Sequence, residues 1–134
     1  MPARRIVLAI GDASVLTLFA VIGLVTHHRG VGAHGLARDA VPVLAGWFVA
    51  SSLFGTYRRG TWASFFAAWA LGVSGGVLFR GLALHRRVVS GNQLTFLAVT
   101  LAVTLLLLLA WRGLVALADR WGRARAVEQR ERRT

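Results

Sequence analysis

Ile6-Val7-Leu8-Ala9-Ile10-Gly11-Asp12-Ala13-Ser14-Val15-Leu16 decides how this chain is read. The run continues apolar to Val25 and Thr26, so residues 6–26 make one segment with a single carboxylate in its first half. A helix of that length, at about 1.5 Å per residue, covers about 31 Å, enough for the hydrocarbon core of a bilayer. A charge at mid-bilayer costs about 2.5–3.5 kcal/mol on insertion scales and less near an end. Asp12 therefore needs a partner, a wet cavity or a proton.

Outward from that segment, three more apolar blocks follow, over residues 40–57, 61–84 and 94–114. Four such blocks in 134 residues, 56% of them hydrophobic, predict one all-α domain: an integral membrane four-helix bundle. Arg4 and Arg5 ahead of an apolar run also suit a secretory signal. The run is long for one, holds Asp12 and lacks a clean small-x-small cleavage site, so a retained first helix is expected.

Residues 27–39 read as a polar, glycine-rich connection, with Pro42 in the first turn of the second span, where its missing N–H does no harm. Gly46, Ala50, Ser51 and Gly55 in that span, and Gly72 and Gly76 in the third, are small residues four apart, suited to close helix contact. Arg58-Arg59-Gly60 is a turn short enough to make spans two and three antiparallel neighbours. In the fourth span Leu105–Leu109 reads as lipid-facing, and Thr95, Thr100 and Thr104 are expected to return their hydroxyls to the backbone. Residues 115–134 read as a basic, partly helical tail along the membrane surface, with Asp119/Arg123 and Glu128/Arg132 at helical pair spacing.

All sixteen basic residues are arginine. Eleven of them (Arg4, Arg5, Arg58, Arg59, Arg112, Arg120, Arg123, Arg125, Arg130, Arg132, Arg133) fall on one side of a four-span topology and five (Arg29, Arg38, Arg80, Arg86, Arg87) on the other. The bias places both termini in the cytoplasm and the chain in the cell membrane as a multi-pass protein. Tyr57, Trp62 and Trp111 land at the same interface, where an aromatic belt belongs. The net charge of +11 is spread over span ends and tail, so anionic headgroups rather than nucleic acid are the expected counter-charge. With no cysteine, disulfides and thiolate ligands are excluded.

Depth decides which polar residues can meet. Asp12 lies about 9 Å inside the cytoplasmic end of its span, Trp69 about 10 Å and Arg80 about 27 Å from that end of theirs. Asp12 and Arg80 are thus kept apart. Arg112 can reach inward along its flexible stem to Asp12, with Trp69 N–H as another donor. That pair reads as a structural clasp between helices one and four; a proton- or ion-carrying carboxylate is the sharper alternative. Arg80 is expected against Asp39 or a lipid phosphate, and Trp47 and Trp69 as core aromatics. His27, His28, His34 and His85 share the far side, and a metal or haem site there is a second alternative, although their spacing matches no ligand signature. No nucleophile elbow, phosphate loop or carboxylate pair is present, so no cofactor and no enzymatic activity are expected.

Gly11-Asp12, Ile22-Gly23-x-x-Thr26-His27, Pro42-x-x-x-Gly46-Trp47, Trp69 with Leu71-Gly72 and Arg80, and Trp111-Arg112 together resemble, in order and spacing over residues 6–114, a family of small bacterial and archaeal membrane proteins catalogued as domain of unknown function 3054. Where that family's pattern has Phe after the span-two proline, this chain has Val43. The resemblance implies four membrane helices and no established activity, and it makes Asp12, His27, Trp47, Arg80 and Arg112 the positions to test first. Three roles stay open: a non-enzymatic partner or assembly subunit, homo-oligomeric or bound to another membrane protein; a small transporter or proton/ion pathway on Asp12; and a histidine-based metal or haem component.

Overall fold

The computed structural model describes residues 2–26, 32–83 and 91–132. Among them the chain is all-helical: α1 (Pro2–Thr26), α2 (Ala33–Phe54), a single turn α3 (Thr56–Arg59), α4 (Trp62–Ala83) and α5 (Gly91–Glu131). Three segments, Ala3–Thr26, Trp62–Ala83 and Gly91–Gln129, are long and apolar enough to cross a membrane. The 22-residue α2 is not among them, because it carries Arg38 and Asp39 near one end and Ser51 and Ser52 near the other.

Polarity runs inside out. Asp12, Ser51, Thr56, Ser64, Thr100 and Thr104 are buried, while Leu53 and Leu106 are 76% and 68% exposed. Water would penalise that surface; hydrocarbon would not. The interior is completed by a cluster of Leu16, Val43, Trp47, Ala50, Phe65, Ala68, Val77 and Leu108. Leu108 within the Leu105–Leu109 run is therefore core rather than lipid-facing, since a helix turns about 100° per residue and no five consecutive side chains share a face.

Glycine sets the α2–α4 pair. A Cβ on Gly46 would overlap the Gly72 carbonyl oxygen, and one on Gly72 would lie 2.7 Å from the Gly46 oxygen. On Gly76 it would lie 2.5 Å from the Pro42 oxygen. Contacts at 46 with 72 and at 42 with 76 make the two helices antiparallel. α1 and α5 are antiparallel as well: Gly11 lies against the Trp111 indole, and Arg4 Nε donates to Asp119 Oδ2 at 3.1 Å. The N-terminal end of α1, the Arg58-Arg59 turn and the extension of α5 thus share one end of the molecule.

Three boundaries differ from the sequence expectation. α2 begins at Ala33, so Pro42 lies inside the helix instead of in its first turn. The start at Ala33 leaves Arg38 and Asp39 helical, in the second turn of α2. The second correction is at Gly55 and Gly60, both left-handed (φ 66° and 64°), which bracket α3 and lengthen the expected two-arginine turn. Thr61 then caps α4, accepting from Ser64 N at 3.2 Å. Third, α5 runs through Gly113 without a break. A glycine costs a helix only about 1 kcal/mol, and Leu, Val and Ala follow it. Asp119 pairs with Arg4 on α1, not with Arg123, whereas Arg132 does meet Glu128 at 2.7 Å.

Candidate functional site: a buried carboxylate clasp

The site grows from α1. Asp12 is fully buried at a point where Gly11 lets α5 approach through Trp111. One residue further along α5, Arg112 Nη2 donates to Asp12 Oδ2 at 2.7 Å. Tyr57 donates its hydroxyl to the same oxygen at 2.8 Å, and Trp47 Nε1 donates to the Tyr57 hydroxyl at 2.9 Å. The left-handed Gly55 makes this possible: it stops α2 and turns α3 so that Tyr57 folds back beside Trp47. A chain Trp47–Tyr57–Asp12–Arg112 therefore ties α2, α3, α1 and α5 together.

The cation is enclosed as firmly as the anion. The Arg112 guanidinium carbon sits 4.6 Å from the Phe65 ring centroid, 5.8 Å from Tyr57 and 6.0 Å from Trp47. Aromatic faces attract a desolvated guanidinium by up to about 2 kcal/mol, which offsets part of its loss of water. Asp12 Oδ1, Arg112 Nε and Trp111 Nε1 are buried without a hydrogen-bond partner among the described residues. The clasp is thus strong through one carboxylate oxygen and unsatisfied through the other. Bonds to a charged acceptor contribute about 1.5–3 kcal/mol each. Tyr57→Phe should cost about that much, measured as the shift in a thermal or denaturant midpoint of the purified protein. An unshifted midpoint would show the phenol is dispensable.

The other residues singled out by sequence fall elsewhere. Trp69 does not reach Asp12; its Nε1 donates to Thr104 Oγ1 at 3.3 Å, so it braces α4 against α5. Its depth matched, but it lies on the wrong azimuth of α4. Arg80 donates from Nη2 to Asp39 Oδ1 at 2.8 Å and from Nε at 3.0 Å, with Arg38 Nε on the same oxygen at 3.3 Å. That second ion pair sits at the opposite end from Asp12. Thr95 and Thr104 bond back to the Gly91 and Thr100 carbonyls, but the buried Thr100 hydroxyl has no partner among the described residues. Of the three aromatics assigned to an interfacial belt, only Trp62 faces outward; Tyr57 enters the clasp and Trp111 packs on Gly11.

His34 is exposed on α2, while His27, His28 and His85 lie outside the described residues. The described residues contain no group of three or more His, Cys, Asp or Glu side chains placed to hold a metal. Tyr57 is the residue that sequence reasoning missed. The signal available for it was Gly55 two positions earlier, a helix stop that detaches Tyr57 from the span it seems to close.

The family described as "Protein of unknown function (DUF3054)" matches residues 9–115. The chain belongs to this family. No curated protein and no solved structure matches it. In this DUF3054 chain the matched stretch holds the whole clasp, with Asp12, Trp47, Tyr57 and Arg112, and also Trp69, Arg80 and Asp39. It ends before Asp119 and begins after Arg4, so the ion pair between those two lies outside the family match.

Proposed function

We propose that the protein is a non-enzymatic, multi-pass cell-membrane protein that acts as a partner or assembly subunit. In this reading α1, α2, α4 and α5 are four spans of one bundle, and both termini are cytoplasmic. The observation that carries it is the closure of Asp12: a carboxylate with no exposed surface, held by Arg112 and Tyr57, is built to register helices. A proton- or ion-carrying role would need that carboxylate to meet water on at least one side. The Arg4–Asp119 pair and the shared end of α1 and α5 support the common location of the termini, and the arginine bias supports the cytoplasmic side. Anionic headgroups suit the basic extension of α5, where Trp121 and Val127 stand exposed for a lipid surface or a protein partner.

Proton flux in reconstituted vesicles tests the reading. Wild-type protein and Asp12→Asn are expected to give the same background flux, with the variant less stable. Flux by the wild type that Asp12→Asn abolishes would make the carrier reading correct instead. Topology is tested separately. The chain has no cysteine, so single cysteines at Arg58 and Gly32 report each side by impermeant labelling of intact cells. Gly32→Cys should label and Arg58→Cys should label only after permeabilisation; the reverse pattern would invert the protein.

A further inference from the structure

At the end of the molecule away from the clasp, a cavity of about 290 Å³ lies among α1, α2, α4 and α5. Its walls are mostly apolar: Phe19, Ile22 and Gly23 of α1, and Val99 and Val103 of α5. From Thr26 to Phe19 it runs about 10 Å along α1. Two polar features interrupt this lining. Thr100 is fully buried, with a hydroxyl that has no partner among the described residues, and the Asp39–Arg80 ion pair stands at the outer end.

We propose that this cavity binds one acyl chain of a phospholipid with an anionic head, taken from the leaflet opposite the clasp. The lining suits the end of a chain: the walls are mostly apolar, and the surroundings in a bilayer are lipid tails. Charge selects the head. Asp39 is shared by two guanidiniums, Arg38 and Arg80, which leaves one net positive charge among these three at the mouth. Arg80 is nonetheless held in place, by Asp39 and by the Phe96 ring 5.5 Å from its guanidinium carbon. A fixed, partly desolvated arginine at headgroup depth is a phosphate partner of the kind arginine geometry favours. The proposal rests on the spans lying in a bilayer and is independent of the assembly role.

Gly23 supplies the test. Gly23 lines the cavity and a Cβ there meets nothing within 4 Å, so Gly23→Leu adds side-chain volume at the cavity wall from a position with room for its Cβ. Wild-type protein is extracted from vesicles of equal phosphatidylglycerol and phosphatidylcholine and weighed by native mass spectrometry. One retained phosphatidylglycerol per chain is expected, at least fivefold over phosphatidylcholine. Gly23→Leu should lower that retention at least fivefold with a melting midpoint no lower than that of the wild type. Arg80→Gln should keep a lipid but lose the preference for the anionic head. No retained lipid, equal retention by Gly23→Leu, a free fatty acid in place of phospholipid, or a second copy of the chain in its stead would each overturn the proposal. The cysteine-labelling pattern reports membrane insertion independently, so a failed lipid result leaves that reading standing.

Discussion

Arg112→Met should destabilise the protein by about 3–5 kcal/mol, because it leaves the fully buried Asp12 carboxylate without its cation. The size follows from what is stranded rather than from what is lost. Asp12 keeps the Tyr57 hydroxyl as a donor, but one neutral hydrogen bond does not offset a desolvated charge. Asp12→Leu strands Arg112 in the same way, although its aromatic cage gives that cation partial cover. The double variant Asp12→Leu/Arg112→Met removes both charges. It should recover most of the loss, since replacing a buried pair by apolar residues of similar volume is often neutral or better. Reversible unfolding in mixed micelles, read by helical circular dichroism, gives all three values. A double variant whose loss equals the sum of the two single losses, within about 0.5 kcal/mol, would show that the pair does not act as a unit.

The second large effect is expected at the α2–α4 crossing. Gly46→Ala puts a Cβ onto the Gly72 carbonyl, where backbone must move to admit it. Overpacking of this kind costs about 1–3 kcal/mol, and Gly46→Leu should exceed it by forcing the helices apart. Gly75, on the same helix as Gly72, is the control: a Cβ there meets nothing within 4 Å. Gly75→Ala should be neutral or stabilising by about 0.5–1 kcal/mol, through reduced freedom of the unfolded chain. Equal responses at 46 and 75 would mean that close approach does not hold this pair. The same unfolding measurement serves, with helix content checked before each titration.

These positions also show what could be read from the sequence and what could not. Depth along a span follows from counting residues. Counting brought Asp12 to Arg112, separated Asp12 from Arg80, and set Arg80 level with Asp39. Azimuth does not follow from counting when a helix is apolar all round. Trp69 shares the depth of Asp12 yet faces Thr104, and Thr100 faces the cavity region instead of its own backbone. The small residues of α2 and α4 were legible as a contact because glycine has few other uses on a membrane helix. Tyr57 was hidden because its place depends on the left-handed turn at Gly55, a conformation that glycine permits but does not require. The unbroken run of α5 was hidden for the opposite reason: Gly113 permits a break that its neighbours do not take.

That unbroken helix has a mechanical side. α5 counts 41 residues, about 60 Å of rod at 1.5 Å per residue. Arg112 sits near its middle, and some 28 Å of helix lies between it and Glu131. The clasp holds this rod near its middle. A tilt of about 5° at Arg112 would carry the far tip through about 2–3 Å, and the opposite arm, which forms one wall of the cavity, would swing by a similar distance the other way. A rigid α5 would thus join the cavity wall and the basic extension in one rod, held near its middle by Asp12 and beyond it by the Arg4–Asp119 pair.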